Sequence, residues 1–474
     1  MSRVLLLQPS MGNYYRRSPV RGAVTLSPPL NLAILAGALE RAGHQVAIWD
    51  LESRPRESLI QDIRDWAPAL VGVTMRTPGF GEGKSLARAA KAACPTARTV
   101  AGGPHASTCP DDVVDESTDF DIAVRGEGEQ ALVALADDRP LESIPGIHWG
   151  AHRGLDAGQT GDAPYLETLD DLPFPAWHHF DVHRYSRRSL VAPVVPVADL
   201  ESSRGCLAKC VYCTKDVFGR TFRMHSADGL VDRVEHAVGH GFRAFNLVDD
   251  SFTMRLKRAK DVCQALLDRG LQVPWTTTNG LRVANVDADF FHMAKRSGLY
   301  LVAFGFESAD DDTLKAIKKG ATVKQARRAV QWAKAAGLTT VGYFMVGLPG
   351  DTEKSMRDTA NFAASLDLDY AKFSITMPLP GTPLWDEWAP RMKPGFDWEF
   401  SFHRQASEWF DHPDLTWPQI ESGVRFAYRT FYGRPQWIGR WLKRSVRTGE
   451  LWSQVAQSGA WALRMSAQGL RSAG

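Results

Sequence analysis

Cysteine is scarce in this chain, six among 474 residues, and three of the six crowd together as Cys206, Cys210 and Cys213. That distribution excludes a disulfide framework and implies a reducing compartment, where clustered thiols hold metal. Long apolar runs are missing as well. No stretch of about 18 apolar residues occurs, so nothing reads as a membrane span. The apolar start at 4–7 runs into Gln8 and Pro9, too short for a secretory core. Neither sign of charge is in excess: 56 Lys and Arg face 54 Asp and Glu, a net charge of +2, which gives no argument for a nucleic-acid partner. A cytoplasmic protein is expected. What the chain has is bulk, with 44% hydrophobic residues, enough for several cores and roughly three domains at about 150 residues each.

Residues 1–140 alternate short apolar runs, at 4–7, 46–49, 70–73, 99–101 and 121–124, with helical patterns. Such alternation predicts a parallel sheet covered on both faces, the doubly wound (Rossmann- or flavodoxin-like) α/β architecture. Ligands of such sheets sit beyond the carboxyl ends of the strands. There the sequence places Thr74-Met75-Arg76-Thr77, Gly102-Gly103-Pro104-His105 and Arg125-Gly126-Glu127-Gly128-Glu129, and a long first loop at 10–29. Asp50 ends the second strand, but the first βα loop lacks GxGxxG, which excludes a nicotinamide dinucleotide site.

Residues 141–189 turn rich in Pro, His and Asp and read as a linker. A second alternating pattern fills 190–393, with strands expected at 194–200, 244–248, 275–278, 301–306, 340–346 and 371–376, and Thr322 suited to cap the helix after it. Six βα units predict a partial (β/α)6 TIM barrel, whose chemistry belongs at the carboxyl ends of its strands. A helical region, 394–474, follows.

Just past the first barrel strand stands Gly205-Cys206-Leu207-Ala208-Lys209-Cys210-Val211-Tyr212-Cys213, a CxxxCxxC loop. Three thiolates can hold three irons of a four-iron cube and leave the fourth open, whereas electron-transfer clusters close all four positions. Structural zinc would want a fourth ligand, for which His225 is the nearby candidate. With an aromatic residue before its last cysteine and six βα units around it, the loop resembles that of the radical S-adenosylmethionine (SAM) superfamily over roughly residues 193–385. The resemblance implies a 4Fe-4S cluster on Cys206, Cys210 and Cys213, SAM bound to its open iron, and homolytic cleavage of SAM by one electron from a flavodoxin- or ferredoxin-like reductant. It further implies that Tyr212 lies against adenine, and that Asp249 or Asp250 meets the SAM amine where the family often has Gly-Gly-Glu. Glu307 would lie near the amine or ribose, Gly347 and Gly350 would let backbone approach adenine and ribose, and Arg282 would pair with the SAM carboxylate, unless it is a surface residue.

A doubly wound module ahead of such a barrel resembles the cobalamin-binding radical SAM enzymes over about residues 3–138. That implies a cobalamin over Thr74, Gly102, Gly103 and Pro104, with Glu127 beside it. The DxHxxG signature of an axial histidine is absent; His105 follows a Gly-Gly-Pro turn and is expected to be a backbone-packed or phosphate-edge residue rather than a cobalt ligand. The activity implied is methyl transfer to an unactivated carbon through a 5′-deoxyadenosyl radical and methylcobalamin. The alternatives are a cobalamin-assisted cyclase or rearrangement enzyme of tetrapyrrole or lipid type, such as the anaerobic magnesium-protoporphyrin monomethyl ester cyclase, and a non-catalytic corrin or metal sensor. A methylthiotransferase would need a further amino-terminal cysteine triad, and Cys94, Cys109 and Cys263 are scattered. The substrate is a small molecule that the sequence does not name, with amphiphilic, isoprenoid and tetrapyrrole compounds among the classes open. Toward the C-terminus Trp437, Trp441, Trp452 and Trp461 accompany Arg440, Lys443, Arg444 and Arg447. Two readings stand for this segment: peripheral contact with a membrane or amphiphilic substrate, and a helical cap on the barrel.

Overall fold

The computed structural model describes residues 1–447 apart from 11–25, 55, 152–155, 187, 190, 191, 395–406 and 408. Two sheets organise it. The first contains β1 (Arg3–Gln8), β2 (Gln45–Asp50), β3 (Leu70–Thr74), β4 (Arg98–Gly102), β5 (Ile122–Val124), β6 (Ile147–Trp149) and β7 (Gly158–Gln159), in the order β2-β1-β3-β4-β5-β6-β7. The first five strands are parallel, with Leu5 opposite Ala47 on one side and Val71 on the other. Chain order reverses at β1, so the crevice between the ends of β1 and β3 is the topological switch point where such sheets bind ligands. Helices α1 (Leu30–Arg41), α2 (Leu59–Trp66), α3 (Phe80–Ala93) and α4 (Glu129–Ala136) cover the two faces. Val4, Leu6, Leu32 and Leu39 share one core, and Leu5, Leu7, Val71 and Leu86 the other, as alternation along β1 requires. The sheet continues past residue 140, because β6 pairs antiparallel with β5 and β7 antiparallel with β6.

The second sheet is parallel throughout. It contains β8 (Val197–Leu200), β11 (Ala244–Leu247), β12 (Trp275–Leu281), β13 (Leu299–Glu307), β14 (Thr339–Val346) and β15 (Tyr370–Ile375), neighbours in that order. The two-stranded hairpin of β9 (Ser203–Arg204) and β10 (Arg223–Met224) stands outside it. Helices α5 (Ala227–Gly239), α6 (Leu256–Asp268), α7 (Ala288–Arg296), α8 (Val323–Ala335) and α9 (Glu353–Ser365) lie between the strands. Thr322 caps α8 by accepting from Gln325 N, in a reciprocal capping box. The wall between strands and helices is aromatic: Phe245 stacks on Trp275, and Phe344 on Phe306 and Phe373.

An open barrel leaves the backbone of its last strand exposed to pairing. Here α10 (Trp417–Tyr432) closes that edge. The Tyr432 hydroxyl donates to Ala371 O at 2.7 Å and accepts from Ala371 N at 3.1 Å, and Tyr428 bonds Phe373 N and O, each at 3.3 Å. Helix α11 (Pro435–Arg447) continues along the barrel, with Trp437 Nε1 donating to Asp369 O at 2.7 Å and Arg440 paired with Asp367. The start of the basic, tryptophan-bearing segment is thus docked on protein. The side chains of Lys443, Arg444 and Arg447, together with Trp452 and Trp461, lie outside the described residues. Among the described residues no helix is long and apolar enough to cross a membrane.

Candidate active site at the facing strand ends

The cysteine loop is held at both ends and in the middle. Its stem is the β9–β10 hairpin, in which Arg204 opposes Arg223 and Ser203 opposes Met224. Gly205 enters the loop at φ +82°, where a Cβ would stand 2.1 Å from Thr221 O, so no other residue fits. Val211 N donates to Ile317 O at 3.1 Å, and Leu384 N to Val211 O at 2.9 Å. Cys206 and Cys210 are only 4% and 6% exposed, and Cys213 is half-buried. Burial pushes the Cys213 thiol up, while Lys215 pulls it down. His225 is buried, with Nδ1 3.0 Å from Asp170 Oδ1.

The remaining residues named for SAM fall into different environments. Asp249 is consumed by the protein, accepting from Ser202 N at 2.7 Å, from Ser203 Oγ at 2.5 Å and from the Ser202 hydroxyl. Asp250, its neighbour, faces the large cavity and lies 3.9 Å from Lys215. Arg282 is half-buried. Its guanidinium is 3.9 Å from Cys210 Sγ and donates to Lys319 O, which places a fixed positive charge beside the sulfurs. Glu307, in the left-handed region at φ +67°, pairs in a buried contact with Lys319 at 2.6 Å. Lys319 Nζ is also 3.4 Å from the Tyr212 hydroxyl. Gly347 accepts His412 Nε2 on its carbonyl at 3.0 Å, and Asp351 ties the turn by accepting from Leu348 N at 2.9 Å. Above Gly350 nothing lies within 4 Å of a would-be Cβ.

One cavity of about 910 Å³ joins the two sheets. Thr74, Gly102, Gly103, Pro104 and Glu127 line it from the first sheet, and Thr214, Lys215 and Asp250 from the second. At this volume it is at the upper end of small-molecule sites, about 300–1,000 Å³. A Cβ on Gly102 would meet nothing within 4 Å, whereas one on Gly103 (φ +97°) would stand 2.7 Å from Met75 O. Gly102 thus leaves its flat backbone open to the cavity, a surface on which a broad ring can rest, and Gly103 makes the turn beneath it. His105 does not line the cavity. It packs against Phe80 with ring centroids 4.4 Å apart, and burial, reinforced by Lys84, lowers its pKa to about 4.

Two features were not read from the sequence. Arg204, 3% exposed on its side chain, pairs with Glu127 at 3.1 Å, Glu129 at 2.7 Å and Glu201 at 2.7 Å, while Arg223 pairs with Glu127 at 2.8 Å. The Gly-Glu-Gly-Glu segment after β5 therefore grips the stem of the cysteine loop across the two sheets. Arg204 stands two residues before Cys206, and its charge beside a basic hairpin partner was the available signal. The second feature is a polar ladder in the barrel: Asn246 Nδ2 donates to Asp199 at 2.8 Å, Thr278 Oγ1 lies 3.0 Å from Asn246 Oδ1, and Tyr343 donates to Thr278 O at 2.6 Å. All four residues line the cavity. Burial pushes the Asp199 carboxyl up, against Asn246, Ser27 and Arg76.

This arrangement has known relatives. The B12 binding domain family matches residues 20–136 and the Radical SAM superfamily residues 200–363. An uncharacterized methyltransferase of Pyrococcus horikoshii is 31% identical over 439 residues, covering 89% of this chain and 93% of that protein. The anaerobic magnesium-protoporphyrin IX monomethyl ester cyclase of Cereibacter sphaeroides is 28% identical over 442 residues, 89% of this chain and 70% of the cyclase. Among solved structures, the radical S-adenosylmethionine methyltransferase TsrM from Kitasatospora setae, with cobalamin and a [4Fe-4S] cluster bound, shares the fold at a TM-score of 0.71 and 22% identity, over 92% of each chain. Coverage of nearly the whole chain by these relatives, with a B12-binding domain ahead of a radical SAM barrel, places the protein in the cobalamin-dependent radical SAM methyltransferase family, whose cofactors are cobalamin, a 4Fe-4S cluster and SAM.

Proposed function

We propose that the protein methylates an unactivated carbon of a small molecule held in the cavity between its two sheets. The supporting observation is that single cavity, bounded by the open backbone at Gly102 and by Thr214 and Lys215, which directly follow Cys213. In this reading Cys206, Cys210 and Cys213 hold the cluster, and Arg282 steadies the negative charge of the sulfurs from 3.9 Å. Asp250 meets the SAM amine and Asp249 only shapes the loop beneath it. Gly102, Gly103 and Pro104 carry the corrin, with Thr74 fixed by Asn31 Nδ2 at 2.8 Å. Glu127 acts through Arg204 and Arg223, aligning the first sheet with the cysteine loop. Bound there, SAM at the cluster supplies a radical that takes hydrogen from the substrate, and the corrin supplies the methyl group. The chain's own task is to bring these reagents to one water-poor space and to orient the substrate, for which Asp199, Asn246 and Thr278 offer polar anchors.

Anaerobic turnover with the true substrate and a one-electron reductant should give 5′-deoxyadenosine and S-adenosylhomocysteine in equal amounts, with one methyl gained per product. The similarity to the cyclase of Cereibacter sphaeroides supports the alternative of cofactor-assisted ring closure. Deoxyadenosine formed without stoichiometric S-adenosylhomocysteine, and an unmethylated product, would replace the methyltransferase reading with that one.

A further inference from the structure

Outside the cavity, three side chains converge where the linker crosses the first helix. The last turn of α1 carries Glu40, and the turn Trp177–His179 brings His178 and His179 against it. Nε2 of His178 lies 2.9 Å, and Nε2 of His179 2.7 Å, from the same atom, Glu40 Oε1. All three donor atoms fall within 4.8 Å of one another, and the imidazole centroids are 4.4 Å apart.

A carboxylate offers two oxygens, so two imidazole donors that served only as hydrogen-bond partners would gain by using both. Convergence on one oxygen makes a different object: two imidazole nitrogens and one carboxylate oxygen around a common point, the donor set that zinc and other borderline divalent ions take. Around a tetrahedral zinc at ordinary bond lengths, donor atoms stand about 3.3 Å apart, so the two imidazole nitrogens need to withdraw from Glu40 Oε1 by only a few tenths of an ångström, while the nitrogens themselves, within 4.8 Å of each other, close in around the ion. Glu40 and His178 have room to do so, with side chains 33% and 56% exposed, and the open side leaves a position for water.

The backbone that presents the donors is fixed on both sides. Ala176 N donates to Ala33 O at 2.9 Å within α1, and Arg41 donates to Asp171 O at 2.8 Å. From the barrel, Arg233 of α5 donates to Leu172 O at 2.6 Å and Pro173 O at 2.9 Å, and His236 Nε2 lies 3.0 Å from Pro175 O. The strap from Leu169 to Tyr185 is therefore shared between the helical layers of the two sheets.

We infer that Glu40, His178 and His179 bind one divalent ion of zinc-like chemistry, which pins this strap to α1. The site is separate from the cofactors, since none of the three residues lines the cavity.

The test uses full-length protein carrying its iron-sulfur cluster, so that the clustered thiols are occupied. After exposure to zinc chloride and desalting, zinc and iron are counted together and thermal unfolding is followed. One zinc per chain is expected, with unchanged iron and a raised unfolding temperature. His178→Ala and Glu40→Gln should each lose both the zinc and the temperature rise. His178 is more than half exposed, so its truncation leaves the fold in place, and unchanged iron content and corrin binding verify that. A parent that retains no zinc, or a His178→Ala variant that retains as much as the parent, overturns the inference.

Discussion

Two adjacent glycines at the end of β4 carry opposite constraints. Gly103 is required by the chain itself, with φ +97° and a Cβ position 2.7 Å from Met75 O, whereas Gly102 is required by nothing in the protein within 4 Å. Gly103→Ala should therefore lower the unfolding temperature through backbone strain and collision. Gly102→Leu should leave that temperature near the parent's and weaken corrin binding by about tenfold or more, roughly 1.4 kcal/mol, because its side chain occupies the face on which the ring rests. Corrin titration and thermal unfolding of the two variants separate the effects. At this scale the sequence was legible in part. The Gly-Gly-Pro-His segment indicated a close backbone approach and a packed histidine, and His105 is buried against Phe80. The choice between Asp249 and Asp250 was not legible, because neighbours at a strand end point to opposite sides and only the serines of another segment decide which is enclosed.

Among the elements, the long strands announced themselves by apolar runs and the short ones did not. β6 is three residues with a central His148, and β9 and β10 are two residues each, below any length at which periodicity can be read. The first barrel strand was expected from residue 194 but begins at Val197, after Pro196, which has no N–H to give to a ladder. The hairpin is nonetheless the stem of the cysteine loop, and on the proposed reading the cluster depends on it. Arg204→Met should leave Glu127, Glu129 and Glu201 buried with fewer counter-charges, a loss of about 3–5 kcal/mol for a broken buried pair. Calorimetry should register it, and iron incorporation should fall with it, since the same strand sets the entry to Cys206. Replacing Cys206, Cys210 and Cys213 together by Ala removes the thiols without touching the hairpin or the first sheet. Iron, sulfide and SAM cleavage should vanish in that variant while corrin binding persists, as metal analysis and corrin absorbance will register.

On the scale of the whole molecule, the two sheets turn the carboxyl ends of their strands toward one another, and the 910 Å³ cavity lies between. The rule that α/β sheets and barrels bind ligands at those ends directs attention, from the sequence, to the loops that follow the strands. The juxtaposition of the two sets of loops was not legible there, because it rests on contacts between residues some 75 positions apart, such as Arg204 with Glu129, which no local pattern encodes. Polar anchors on the barrel side, Asp199 and Asn246, arise in the same way, standing opposite each other on two strands that pair only in the fold. On the proposed reading, this shared cavity delivers the corrin-borne methyl group to the substrate. A single-turnover experiment tests it most directly: protein loaded with isotopically methyl-labelled corrin and unlabelled SAM is reduced anaerobically in the presence of substrate, and the product is weighed. The label is expected in the first product formed; product formation with the label still on the corrin overturns that delivery.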